Sequence, residues 1–143
     1  MKKTQFIKIK QIPYEPELNL AIQVSNGLFS GYIEIDTYDS DIRDLAKKLI
    51  DYPKTIKDRI DFKIGEREKW AFYFFLQVYA YDNLGHSIIE FRLDNNKKDF
   101  EKESAQFGIL CNPADINDLG KILLEWISQK GNREDFYWEI DAN

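Results

Sequence analysis

Trp70-Ala71-Phe72-Tyr73-Phe74-Phe75-Leu76-Gln77-Val78-Tyr79-Ala80-Tyr81 is the longest strand-forming run in the chain, and its reading decides the fold. Its even positions, Trp70, Phe72, Phe74, Leu76, Val78 and Ala80, are all apolar, whereas Tyr73, Phe75, Gln77, Tyr79 and Tyr81 alternate with them. Successive side chains of a strand point to opposite faces, so the even set is predicted to face the core and the odd set to face out. Asp82-Asn83-Leu84-Gly85 then leads into His86 to Leu93, where Ser87, Ile89, Phe91 and Leu93 alternate with Ile88, Glu90 and Arg92. A hairpin loop of that length, setting Tyr81 opposite His86, keeps both inward sets on one side. Ser104 to Leu110 fits as a third strand if Ile89 meets Phe107, Phe91 meets Ala105 and Glu90 meets Gln106. The polar stretch Asp94-Asn95-Asn96-Lys97-Lys98-Asp99 reads as a hairpin loop, not a domain linker.

Upstream, Asn26-Gly27 lies between two alternating runs and is the residue pair of a two-residue type I′ turn. Ser25 facing Leu28 would pair Val24 with Phe29, Ile22 with Gly31, Leu20 with Ile33 and Leu18 with Ile35, all on one face, leaving Ala21/Tyr32 and Asn19/Glu34 on the other. A helix follows, capped by Asp39 or Ser40, with Ile42, Leu45, Ala46 and Leu49 as one buried stripe and Pro53 as its stop. A second helix is predicted from Asn112-Pro113, burying Ile116, Leu119, Leu123, Trp126 and Ile127 and stopping at Gly131. Gln5 to Ile12 and Ile60 to Ile64 read as further strands, and Phe136 to Ile140 as a segment docking the C-terminus. The expectation is one domain over residues 1–143, of the α+β class: an antiparallel meander sheet of six to seven strands with two amphipathic helices packed on it in two layers. A half-barrel sheet around the second helix, or helices split between the two faces, are the alternatives.

Composition sets the class. With 43% hydrophobic and 15% aromatic residues over 143 positions, the chain has the material for a core and should fold alone. The lone Cys111 excludes an internal disulfide and a cysteine-rich zinc site, which fits a reducing, cytoplasmic setting. Lysines interrupt the leading segment before any apolar run of signal-peptide length, and no stretch is long enough to span a bilayer, so neither secretion nor membrane insertion is expected. A formal charge of −5 argues against nucleic acid as partner. The one basic cluster, Lys2, Lys3, Lys8 and Lys10, is read as a solvated leading segment and edge strand, where lysines discourage edge pairing.

The search for reaction chemistry is negative. No glycine-rich phosphate loop, GxSxG or HExxH occurs, and no cofactor is implied. His86 and Cys111 fall at the same end of adjacent strands, with Cys111 just before a helix N-terminus. Strand parity sends Cys111 inward and His86 outward, however, so an inert buried thiol is expected instead of a thiolate–imidazole dyad. Glu34, Asp36, Asp39, Asp41 and Asp44 cluster where a strand runs into a helix. Capping and the helix dipole explain acids there, and the calcium-loop glycine and distal glutamate are missing, so no metal is expected.

What the fold does not absorb is the outward set: Tyr32, Tyr73, Phe75, Gln77, Tyr79, Tyr81, His86, Ile88, Glu90 and Arg92. Something must cover that face or bind it, whether a segment of the chain, a second copy or a foreign protein. Tyrosines with an arginine are residue types that interfaces favour. The partner-binding candidates are Tyr73, Phe75, Tyr79, Tyr81, His86 and Arg92, with no catalytic and no metal-binding residue. Trp70-Ala71-Phe72 through Asp82-Asn83-Leu84-Gly85-His86-Ser87, then Glu90-Phe91-Arg92-Leu93 and a closing amphipathic helix, resembles small uncharacterised bacterial α+β families, some of them immunity-protein-like. The resemblance spans roughly residues 70 to 127 and transfers no functional residue. It implies an immunity or accessory protein of a bacterial toxin system, and an acidic chain suits a basic toxin, because complementary charge speeds association. The expected function is a non-enzymatic protein-binding module. The alternative is a homo-oligomeric or small-ligand-binding cytosolic protein, and a cysteine-dependent enzyme comes third.

Overall fold

Alternation assigns a strand to a face but does not say which sheet it joins, and it is here that the architecture departs from a single meander. The computed structural model describes residues 4–12, 18–66 and 70–141. Within them the chain order is β1 (Thr4–Ile12), β2 (Leu18–Ser25), β3 (Ser30–Thr37), α1 (Asp39–Asp51), β4 (Arg59–Gly65), β5 (Tyr73–Ala80), β6 (Ser87–Asp94), β7 (Ser104–Cys111), α2 (Pro113–Ile127) and β8 (Phe136–Asp141). The α+β class holds, with two helices, but the strands divide into two four-stranded antiparallel sheets, ordered β3-β2-β1-β8 and β4-β5-β6-β7. The C-terminal segment closes the first sheet by pairing β8 with β1, so that Thr4 lies opposite Asp141 and Ile9 opposite Phe136. Consequently β1 is an interior strand, not an edge, and the lysine cluster needs another account: Lys8 extends over the rings of Phe6 and Tyr137 at 5.6 Å each. Lys2 and Lys3 lie outside the described residues.

The sheets pack through β3, which touches each of β4, β5, β6 and β7 and so runs across that sheet instead of along one strand. A methyl group built on Gly31 would stand 3.2 Å from Leu93 Cδ1 and 3.4 Å from Ala105 Cβ, showing how closely β3 lies on β6 and β7. The helices pack on one another, and α2 also lies along β8, where Trp126 meets Phe136 edge-to-face at 5.9 Å. Their closest approach is at Gly120: a side chain there would come within 2.7 Å of the Ile50 nitrogen and 2.8 Å of the Ala46 oxygen, so only glycine lets the two backbones meet. Both sheets and both helices contribute to one continuous core, with Phe91, Leu20, Ile35, Ile89 and Ile109 among its fully buried members.

Register shows what the sequence pattern can and cannot decide. The β5–β6 pairing is the expected one, with Val78 opposite Ile89 and the Tyr81 N–H bonded to the His86 carbonyl at 2.9 Å. The β2–β3 and β6–β7 pairings each differ from expectation by two residues. Val24 faces Gly31 and Ile22 faces Ile33, across a four-residue turn in which Asn26 Oδ1 accepts the N–H groups of Leu28 and Phe29 at 3.0 and 2.8 Å. Likewise Ile89 faces Ile109, Phe91 faces Phe107 and Glu90 faces Gly108. A slip of two preserves every residue's face, so alternation alone could not detect it. Trp70 is corrected outright: it is 57% exposed and precedes the strand. Strand pairing starts only at Tyr73 because both neighbours run out there, at Gly65 and Asp94.

Helix ends rest on distant side chains more than on local signals. The α1 cap position is Tyr38, not Asp39 or Ser40, and Thr37 Oγ1 donates to Asp41 Oδ2 at 2.9 Å. Its last carbonyls, those of Leu49, Ile50 and Tyr52, accept from Asn117 Nδ2 at 3.0, 3.0 and 2.6 Å. Asn112 begins α2 as expected, with its N–H held by Asp115 Oδ2 at 2.9 Å. The helix ends at Ile127, short of Gly131. There Arg133, its side chain 6% exposed, donates to the carbonyls of Trp126 (3.1 Å) and Ile127 (2.8 Å) and to Asp39 (3.1 Å). A cation on those carbonyls complements the helix dipole and replaces the glycine cap. None of the helices formed by the described residues is long and apolar enough to cross a membrane.

Candidate functional site

Parity on β4, β5 and β6 builds a second layer of side chains on the outer face of their sheet. On β5, Phe74, Leu76 and Val78 are buried inward, which turns Tyr73, Phe75, Gln77 and Tyr79 outward. On β6, Ser87, Ile89, Phe91 and Leu93 are buried, which turns Ile88, Glu90 and Arg92 the same way. Since Phe75 pairs with Arg92 and Tyr79 with Ile88, the outward residues meet across the strands. The second sheet crosses on the opposite, apolar side, where β3 touches each of the four strands.

The side chains here hold one another. Tyr79 Oη donates to Glu90 Oε2 at 2.8 Å, and Arg92 Nη2 donates to Glu90 Oε1 at 3.0 Å while its guanidinium sits 5.7 Å from the Phe75 ring centre. The Glu90 carboxylate beside it, with partial burial, raises the Tyr79 phenol above its ordinary value. Arg59 of β4 covers the other side of Tyr79, 5.2 Å from the ring, and pairs with Asp61 at 3.2 Å. Asp61 also accepts from Gln77 Nε2 at 3.0 Å, which accounts for the burial of an outward glutamine. At the turn, Tyr81 stacks on His86 with ring centres 6.2 Å apart, and His86 Nδ1 lies 2.6 Å from Asp82 Oδ2. The hydrogen bond from His86 holds the Asp82 carboxyl below its usual value.

Tyr73, Phe75, Tyr79 and Arg92 therefore share one sheet face, while Tyr81 stacks on His86 at the turn just beyond it. Tyr32 does not: it lies on β3, in the other sheet, 62% exposed and bonded to Glu34. Sequence reasoning missed Arg59 and Asp61, which belong to the face because β4 pairs with β5. Their signal was present in Arg59, Asp61 and Lys63 alternating with Ile60, Phe62 and Ile64.

Cys111 is buried opposite Ser87, whereas His86 is exposed at the turn, and both border one cleft between the sheets. Burial, with Asp115 adding to it, pushes the Cys111 thiol up to about 12, the reverse of an activated nucleophile. Ser87 fills the space beside it with a buried hydroxyl pair, 2.8 Å from Tyr52 Oη. The five acids do not converge: Glu34 accepts from Tyr32, Asp39 from Arg133 and Asp41 from Thr37. Among the described residues no group of three or more His, Cys, Asp or Glu side chains is placed to hold a metal ion.

No family model matches the chain, and neither does any curated protein. Among solved structures, a chain of a CdiA-CT/CdiI toxin and immunity complex from Enterobacter cloacae aligns with 82% of this chain and 97% of its own length, at 11% identity and a TM-score of 0.41.

Proposed function

We propose that the protein is a non-enzymatic protein-binding module whose contact surface is the outer face of the β4–β7 sheet, with Tyr79, Tyr81 and Arg92 as anchors. The observation that supports this most is the mutual fixing of Arg59, Tyr79, Glu90, Arg92 and Phe75 on the face turned away from the buried side of the sheet. Large flat side chains already locked by cation–π and charge-assisted contacts lose little entropy on binding, and Tyr and Arg dominate interface hot spots. A foreign, basic protein is the favoured partner, because the chain carries a formal charge of −5. An immunity or accessory role toward a toxin is the particular form of that reading, with the cytoplasm as its setting.

Tyr79→Ala and Tyr81→Ala test it. The protein that wild type captures from cells of its source is purified and its affinity for each variant measured. We expect an affinity loss of about 2 kcal/mol or more, tenfold and beyond, with melting temperature nearly kept. If the purified partner binds both variants as it binds wild type, the face is not the interface. Sedimentation of wild type alone reports whether the partner is a second copy, which would replace the foreign-protein reading.

A further inference from the structure

Asn26-Gly27 is the only Asn-Gly pair in the sequence, and such a pair carries its own reaction. The glycine nitrogen, with no side chain beside it to obstruct approach, can attack the asparagine side-chain amide. The fold surrounds that reaction with the groups it needs. Asn26 Oδ1, the oxygen on which negative charge would develop, accepts the N–H groups of Leu28 and Phe29 at 3.0 and 2.8 Å. Two backbone donors aimed at one carbonyl oxygen stabilise a tetrahedral intermediate there. The attacking nitrogen, that of Gly27, donates to Ser25 Oγ at 3.1 Å, so its proton has an acceptor in place. The leaving nitrogen, Asn26 Nδ2, donates to the Gly108 carbonyl of β7 at 3.3 Å. Gly27, Leu28 and Phe29 are exposed, so water reaches the turn.

We propose that the β2–β3 turn is a self-modifying site, at which Asn26 converts to aspartate or isoaspartate through a cyclic imide. The Gly27 nitrogen bonds to Asn26 Cγ as the Cγ–Nδ2 bond breaks, the Gly27 proton passes by way of the Ser25 hydroxyl to the leaving nitrogen, and ammonia departs. Water then adds to one or other carbonyl of the imide and opens it to aspartate or to isoaspartate. No other reactant is consumed. Either product lacks the Nδ2 donor and puts a negative charge in its place, so the Gly108 carbonyl loses its partner and meets another acceptor. Gln5, which donates to the Leu110 carbonyl at 3.2 Å, then holds the first sheet to this edge of β7 without Asn26. The modification is therefore an irreversible loosening of one sheet from the other, and it needs no partner protein.

The full chain is held at neutral pH, native in one arm and unfolded in urea in the other, and conversion at residue 26 is followed by peptide mapping with mass spectrometry. The native arm is expected to convert about tenfold faster, part of the roughly hundredfold or more that one such donor commands in an enzyme. Ser25→Ala, which removes the proton acceptor, should slow the native arm severalfold and leave the unfolded arm unchanged. Asn26→Asp, the product made directly, should lower the melting temperature and shift the Ile109 amide, whose peptide bond carries the Gly108 carbonyl. A native chain that converts no faster than the unfolded one would overturn the proposal, because the same hydrogen bonds would then lock the amide instead of activating it. An indifferent Ser25→Ala variant would do so too. If Asn26→Asp melts with wild type and leaves the Ile109 amide in place, the modification loosens nothing between the sheets, and that consequence is overturned.

Discussion

One face of the β5–β6 hairpin buries Phe74, Leu76, Val78, Ile89, Phe91 and Leu93, while the other carries Tyr73, Phe75, Tyr79, Ile88, Glu90 and Arg92 half-buried. The backbone and its hydrogen bonds are common to both. What differs is how each side chain is satisfied. Inward residues have only packing to gain, and every lost methylene leaves a cavity. Outward residues combine ring contact with charge and hydrogen bonds that solvent can partly replace. Stability should therefore reside mainly on the first face, as the contact surface proposed for the second requires.

The sharpest test sets Phe91→Ala beside Phe75→Ala, the same chemical change on opposite faces. Phe91, fully buried between the rings of Phe74 and Phe107 at 6.3 and 6.1 Å, should cost about 3–5 kcal/mol in denaturant unfolding. Phe75, held by Arg92 and by the tilted ring of Tyr73, should cost about 1 kcal/mol. Equal costs would make the outer face a second core layer and break the contrast.

A smaller effect is expected at Cys111, on the inward side of β7. Cys111→Ser places a hydroxyl where the thiol is buried and should destabilise by about 1 kcal/mol. Because its folded value of about 12 lies above the ordinary 9.0, the thiol's contribution is complete below pH 9.0 and fades as pH climbs toward about 12. Stability curves of wild type and the serine variant should therefore converge in alkali, and iodoacetamide should label native Cys111 slowly at neutral pH. Rapid neutral labelling would put the thiol on the reactive side of the comparison.

The same contrast explains what was legible in the sequence. Facing is a local property with period two, so the core positions of β2, β3, β5, β6 and β7 could be assigned before the fold was known. Register is not local: Asn26-Gly27 suggests a two-residue turn, but the Asn26 side chain takes two backbone N–H groups and makes a four-residue one. Sheet membership is further from sequence still, since pairing β1 with β8 brings Thr4 to Asp141. Helix ends behave alike, with Asn117 and Arg133 reaching carbonyls that local glycine and proline signals would otherwise explain. Of the candidate surface, the residues of the long hairpin were readable because one continuous run carries them. Arg59 and Asp61 were not, because they arrive from a separate strand.

The smallest effect belongs to the turn that joins the two faces. Asp82 accepts the N–H groups of Leu84 and His86 at 2.9 and 3.1 Å as well as bonding the His86 ring, so one exposed carboxylate orders the whole β5–β6 connection. Its folded value lies below the ordinary 3.8, chiefly through the His86 ring. A depressed carboxylate contributes stability above its unfolded value and loses it as pH falls through its folded one, so the contribution is present above pH 3.8 and disappears in acid below that. His86→Ala should move the Asp82 titration, followed by carboxyl NMR, up toward 3.8, and should narrow the acid-side difference in melting temperature from wild type. The inward hairpin residues take no part in this, so amide exchange at Val78 and Ile89 should stay unchanged while that at Leu84 and at position 86 quickens. If the core amides quicken equally, the turn and the core melt as one unit, and the outer face is not energetically separable from the inner.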